Sequence, residues 1–202
     1  MADGDEVRRL PHGLHGIPPD LVSRNQRERL IAAAAEACAE HGYAETRVAE
    51  LAQRAGVSTA TFYKLFAGKR ECVLEAHREL LERLLEEVDR ACEEADDRAG
   101  KLRVGVRTVL FLFAADPPTA RLLTVEVLAL GPAGATRNDA AIEAFATRLR
   151  AGREGGEVPS ADAEWTVLAG IAMLVGKHVM AGEAATLPEL EDRLVAIVTA
   201  QE

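Results

Sequence analysis

Between Glu45 and Glu71 the chain reads ETRVAELAQRAGVSTATFYKLFAGKRE, where Gly56 and Gly68 confine any helix to a short length. Thr46 is placed to cap a helix whose Val48, Leu51, Ala52 and Ala55 fall at i, i+3, i+4 and i+7, the spacing of one apolar face. Ser58 is placed to cap a second, with Phe62 and Phe66 one turn apart. Upstream, from Arg24, a helical face gathers Leu30, Ile31, Ala34, Cys38 and His41, and Gly42 is its expected left-handed stop. Three short helices over residues 24–67, the last two joined by a glycine turn, are the sequence form of a helix-turn-helix.

Beyond this unit the chain is helical throughout. Val73, Leu74, His77, Leu80, Leu81, Leu84, Val88 and Ala91 keep one phase from Lys69 to about Ala95, a rod of roughly 40 Å. Further helices are expected over 98–115, over 117–130 after the capping pair Asp116-Pro117, and over 138–151 beyond a break at Gly131–Gly134. After a loop at 152–159, helix eight should run from a Ser160 cap to Ala181. Helix nine should run from a capping box, Thr186 with Glu189, to Ala200. With 48% hydrophobic residues but only 4% aromatic, the apolar supply is chiefly Ala, Leu and Val, which suits helices better than a β-sandwich. The expected fold is all-α: an arm at 1–23 rich in Pro and Gly, a helix-turn-helix domain at 24–70, and a helical domain at 71–202.

The net charge of −9 is unevenly shared. Residues 1–70 carry 10 Lys+Arg against 9 Asp+Glu, a net of +1, leaving 14 against 24, or −10, for residues 71–202. Only the first part could tolerate a polyanion. Cys38, Cys72 and Cys92 cannot all pair and sit at apolar phases, so neither a disulfide framework nor a structural zinc is expected. No apolar run approaches the roughly 18 residues of a membrane span, and the first residues lack the apolar stretch of a signal peptide. A soluble, cytoplasmic protein without a membrane partner is expected.

In the second helix of the helix-turn-helix, Ser58, Thr59, Ala60 and Thr61 are short enough for bases to approach, and their hydroxyls and methyls suit base edges, phosphates or a thymine methyl. Tyr63, Lys64 and Lys69 are placed for phosphates, as are Thr46 and Arg47 at the start of the preceding helix. Residues 24–72 closely resemble the DNA-binding domain of the TetR family of bacterial transcriptional regulators, through the Gly-Val-Ser turn, the Thr-Phe-Tyr-Lys-Leu-Phe helix and the following Lys69. That resemblance implies a homodimer on double-stranded DNA, a divergent helical domain that dimerises through its last two helices, and a small-molecule effector. It implies DNA contacts at Thr46, Arg47, Thr59, Thr61, Tyr63, Lys64 and Lys69. The recognition helix offers no Arg, Asn or Gln for bidentate base reading, which leaves the operator sequence open.

Leu168, Ile171, Leu174, Val175 and Val179 of helix eight, with Leu190, Leu194 and Ile197 of helix nine, are too apolar to face water; a dimer seam is expected there, with closure of a monomer core as the alternative. An effector pocket is placed among Phe111, Phe113, Leu122, Glu126 and Trp165, which could equally be core. Glu126 shares a face with Leu122 and Leu130, so it should point inward, to meet a ligand or an arginine.

The leading expectation is a ligand-responsive regulator, a repressor on a palindrome whose half-sites lie about 34–36 Å apart. The rival is a helical enzyme or protein-interaction module that leaves DNA alone. The sequence carries no Gly-x-Ser-x-Gly, His-Glu-x-x-His or phosphate-cradling loop, so no catalytic residue, metal or cofactor is assigned. His12 and His15 make a poor metal site, and Arg8 and Arg9 are either minor-groove contacts or a free tail.

Overall fold

The structure is a computed structural model that describes residues 18–151 and 160–200. The arm's histidines and Arg8 and Arg9 therefore lie outside the described residues, as does the 152–159 loop. Helix α1 runs Pro19–Glu45, α2 Val48–Arg54, α3 Thr59–Leu65, α4 Lys69–Cys92, α5 Arg98–Ala115, α6 Pro117–Thr124, α7 Pro132–Ala151, α8 Ala161–Met180 and α9 Glu191–Thr199. Two 3-10 segments, η1 (Glu126–Leu130) and η2 (Ala184–Leu190), precede α7 and α9. No strand occurs among the described residues, and the all-α expectation stands.

Helix α1 begins five residues before the expected Arg24. Pro19 occupies the first turn, where its fixed φ suits a helix and its missing N–H is not needed, and Asp20 favours the positive end of the helix dipole. The left-handed turn expected at Gly42 is real, with φ of 84°, and it kinks α1 three residues before its end at Glu45. Gly56, at φ 61°, turns the chain between α2 and α3, and the Val57 amide closes that turn on the Ala52 carbonyl at 2.9 Å. The expected caps of α3, α6 and α8 form: Ser58, Asp116 and Ser160 each accept a backbone N–H in the first turn, and Asp97, for which no cap was expected, does the same for α5.

Four expectations fail. Thr46 does not cap α2, where Arg47 holds the N-cap position and no side chain closes the first turn. The single helix over 117–130 breaks at Val125, where Glu126 is drawn toward α1 to accept the Tyr43 amide. The break at Gly131–Gly134 shrinks to Gly131, with Pro132 opening α7. Gly134 then lies inside α7 against η1, where a Cβ would stand 1.8 Å from the Val127 carbonyl oxygen. The capping box at Thr186 does not form, since Thr186 donates to Glu183 and Pro188 holds the segment as 3-10 until Glu191.

Two apolar cores result. The first joins α1, α2, α3 and the front of α4 to Leu122, Val127 and Leu130; its Phe62 is fully buried, worth about 1.5–3 kcal/mol. The second gathers the rear of α4 with α5, α6, α8, η2 and α9, and Leu80 packs against both. Arginine pairs bind the shell: Arg27 to Glu75 and Glu79, Arg148 to Asp89, and Arg103 and Arg107 to Glu191.

Candidate nucleic-acid interface and the cavity behind it

Because Phe62 is buried and stacks edge-on to Tyr63 at 5.4 Å, α3 turns a fixed outer face to solvent. Thr59, Ala60, Tyr63 and Lys64 are exposed on it, and Arg47 is exposed at the start of α2. Ser58 and Thr61 are more committed. The Ser58 hydroxyl accepts the Thr61 N–H at 3.0 Å and lies 2.9 Å from the Thr61 hydroxyl, so both serve the cap. Exposed Gln53 on α2 and Arg70 on α4 border this face and were not expected there; Arg70 stands out in sequence only as the cation after Lys69.

Two expected phosphate contacts are corrected. Thr46 is 2% exposed, and its hydroxyl donates to the Gly42 carbonyl at 2.9 Å, so it closes the end of α1 instead of reaching outward. Lys69 donates to the carbonyls of Tyr43 at 2.7 Å and Ala44 at 3.2 Å and lies 4.2 Å over the Tyr43 ring. Its charge thus serves the negative end of α1. The first turn of α4 already holds an anion, the Glu71 carboxylate accepting the Ala67 N–H.

Behind the three-helix unit lies a cavity of about 410 Å³ between α4, α5, α7 and α8, within the usual range of small-molecule pockets. Its wall is aliphatic, typified by Leu81, Leu84, Val106, Val109, Ile142 and Val175, with Phe113 and Phe145 as its aromatics. Of the five expected effector residues only Phe113 lines it. Phe111 is 56% exposed and Trp165 44%; two positions from Phe113 along α5, Phe111 points to the opposite side. Leu122 belongs to the first core, and its neighbour Leu123 takes the wall. Glu126 points inward but to protein: it accepts from Arg121 Nε at 2.9 Å and from the Tyr43 amide at 2.8 Å.

His77 also lines the cavity, 1% exposed. Burial, with Arg137 nearby, lowers its pKa to about 4, and the backbone of Leu123 works weakly the other way. Its place in the apolar phase of α4 was the only signal in the sequence. Burial likewise pushes the Cys38 and Cys72 thiols up, to about 11 and about 12, and keeps them unreactive.

The expected dimer residues face mostly inward. Val175, Val179 and Leu194 are buried in the second core, Ile171, Leu174 and Leu190 pack on it, and Leu168 lines the cavity. Of that set Ile197 is exposed, and it is joined outside by Met173 and Met180. The apolar stripes were legible, but the side they cover is the chain's own core.

Residues 30–76 match the sequence model described as bacterial regulatory proteins, tetR family. The match covers the second half of α1, all of α2 and α3, and the first turns of α4. Over 99 residues the chain is 27% identical to the fatty acid metabolism regulator protein of Bacillus subtilis (strain 168), covering 49% of this chain and 51% of that protein. It thus spans about half the length of that curated relative. The fatty acid degradation regulator FadR from Bacillus halodurans superposes with a TM-score of 0.74 at 22% identity, over 85% of this chain and 96% of that one. FadR from Bacillus subtilis, solved in complex with stearoyl-CoA, superposes with a TM-score of 0.73 at 18% identity, covering 87% and 98%. A transcriptional regulator from Rhodococcus sp. Rha1 gives 0.67 at 26% identity, covering 87% and 95%. The fold that the chain shares with these proteins therefore extends from the α1–α3 unit through the body. No helix among the described residues is long and apolar enough to cross a membrane.

Proposed function

We propose that this chain is a ligand-responsive, homodimeric transcriptional regulator of the TetR type, a repressor without catalytic activity, acting where the cell keeps its DNA. Its effector is a long aliphatic compound of the acyl class. The observation that carries this reading is that α4 supplies both the first packed turns of the DNA-binding core and one wall of an aliphatic cavity. An occupant that moves α4 moves the seat of α3. The likeness to FadR, one example of which was solved with stearoyl-CoA, supports the acyl class. Thr59, Ala60, Tyr63, Lys64 and Arg47 meet DNA, assisted by Thr61, Gln53 and Arg70. The outward residues Met173, Met180 and Ile197 of α8 and α9 form the dimer seam.

The test is a mobility-shift assay with DNA flanking the chain's own gene, with and without stearoyl-CoA or dodecanoyl-CoA. A retarded complex that acyl-CoA dissolves is the expected result. Failure to bind any flanking fragment, with the protein folded and dimeric, would reject the regulatory assignment.

A further inference from the structure

The two ends of the cavity differ in chemistry. His77 and Cys92 both line it and stand fifteen residues apart on α4, so the ends are about 22 Å apart. Around Cys92 the wall carries Asp89, Arg98, Lys101 and Arg148. Around His77 it carries Thr124 and Asn138, and no charged side chain among the described residues lines that end. Arg137 lies near but outside the lining, turned toward Glu75 at 3.6 Å.

His77 is 1% exposed, and neither ring nitrogen makes a well-formed hydrogen bond among the described residues, the backbone of Leu123 offering one of them a weak contact at most. An imidazole left so is costly, because the Leu123 backbone can serve one ring nitrogen at most and the other has no protein group in exchange for water. A leucine would continue the stripe of Leu80, Leu81 and Leu84 without that cost. The ring faces a space large enough for a ligand, at the junction where Ala76 belongs to the first core and Leu84 to the second.

We propose that the inner end of the cavity is a recognition subsite for a neutral hydrogen-bonding group, a hydroxyl or carbonyl borne on an aliphatic chain, and that His77 reads it. This rests on the reading of the cavity as the effector site. Neutrality follows from the wall, which offers a carboxylate no cation at that end and offers the imidazole itself no anion to stabilise its charged form. Neutral imidazole can donate from one nitrogen and accept at the other, so it suits a hydroxyl in either sense and a carbonyl in one. A plain alkyl terminus seated there leaves the ring unpaired and is discriminated against.

The experiment measures binding of 1-dodecanol, 1-chlorododecane and dodecanoate to the full chain, to H77F and to H77Q, with the imidazole nitrogens of the wild type followed by NMR. Dodecanol should bind wild type at least tenfold more tightly than chlorododecane. That preference should vanish in H77F, survive in part in H77Q, and accompany a shift of the His77 nitrogens seen with dodecanol alone. Equal binding of alcohol and chloride with an unmoved His77 signal would overturn the subsite and leave the aliphatic cavity standing. Dodecanoate binding more tightly than dodecanol while shifting the His77 nitrogens would overturn its neutrality, because a carboxylate held by the cations at the Cys92 end would leave them unmoved; binding of none of the three would overturn the subsite together with the aliphatic reading on which it rests. The NMR arm uses wild type, so it decides the matter even if a variant fails to fold.

Discussion

The carboxylate of Glu126 accepts the backbone N–H of Tyr43 at 2.8 Å, joining η1 to the end of α1 across 83 positions of sequence. Arg121 holds its other oxygen at 2.9 Å. At 6% exposed, the carboxylate is nearly dry, so these bonds fix where the body grips the DNA-binding unit.

E126A should therefore cost about 2–4 kcal/mol in urea denaturation, since it strands a donor and a guanidinium. E126Q, which keeps one acceptor, should cost less. In both, effector and operator should bind with reduced mutual influence; unchanged coupling, read as operator Kd with and without effector, would show that the signal runs elsewhere.

At the DNA face, K64A and R47A should each make the slope of log K against log salt shallower by about 0.9, the signature of one fewer neutralised phosphate. T59A should instead reorder affinities among operator variants. K69A should lower stability by about 1 kcal/mol by uncapping α1, so its thermal melt must be taken beside its binding curve.

His77 makes stability depend on pH with a definite sign. Its pKa is depressed by burial from 6.5 to about 4, so the unfolded chain takes up a proton at a pH where the folded chain does not. Stability is complete above 6.5 and falls as pH drops toward 4, by about 3 kcal/mol in all. H77F should lack this component, visible in the difference between the two proteins' stability curves over that window.

The dimer seam separates two kinds of substitution. M173E and I197E place a charge on an exposed face and should give folded monomers by light scattering and circular dichroism. L194E, at a site 1% exposed, should instead unfold the body, at a cost of several kcal/mol. Folded dimers of M173E would move the seam off α8.

The helix-turn-helix was legible because Gly42, Gly56 and Ser58 act through local backbone chemistry, which sequence encodes directly. Apolar stripes on α4, α8 and α9 were legible too. Their direction was not, because a stripe says that a face is covered and not by what: Leu194 and Val175 answer to their own core, whereas Met173 and Ile197 do not. Glu126 could be read as inward-facing but not as bound to Tyr43, a partner set by how α1 ends. His77 passed as one more apolar-phase residue, since its shortage of partners exists only in three dimensions.

Glycines let two neighbours press on the joint between α6 and η1. Gly134 of α7 leaves no space for a Cβ beside the Val127 carbonyl, and Gly176 of α8 would place one 3.2 Å from Val125. Apart from Leu123 and Thr124, the residues of this joint are not those that line the cavity. Selectivity for a ligand and the relay of its arrival are thus written in largely separate residues. A lineage could exchange the aliphatic wall, methyl by methyl, to answer a new compound while the joint stays as it is. The same separation offers a route to re-targeted sensors: redesign the lining of α5 and α7, and leave Gly134, Gly176 and Glu126 untouched.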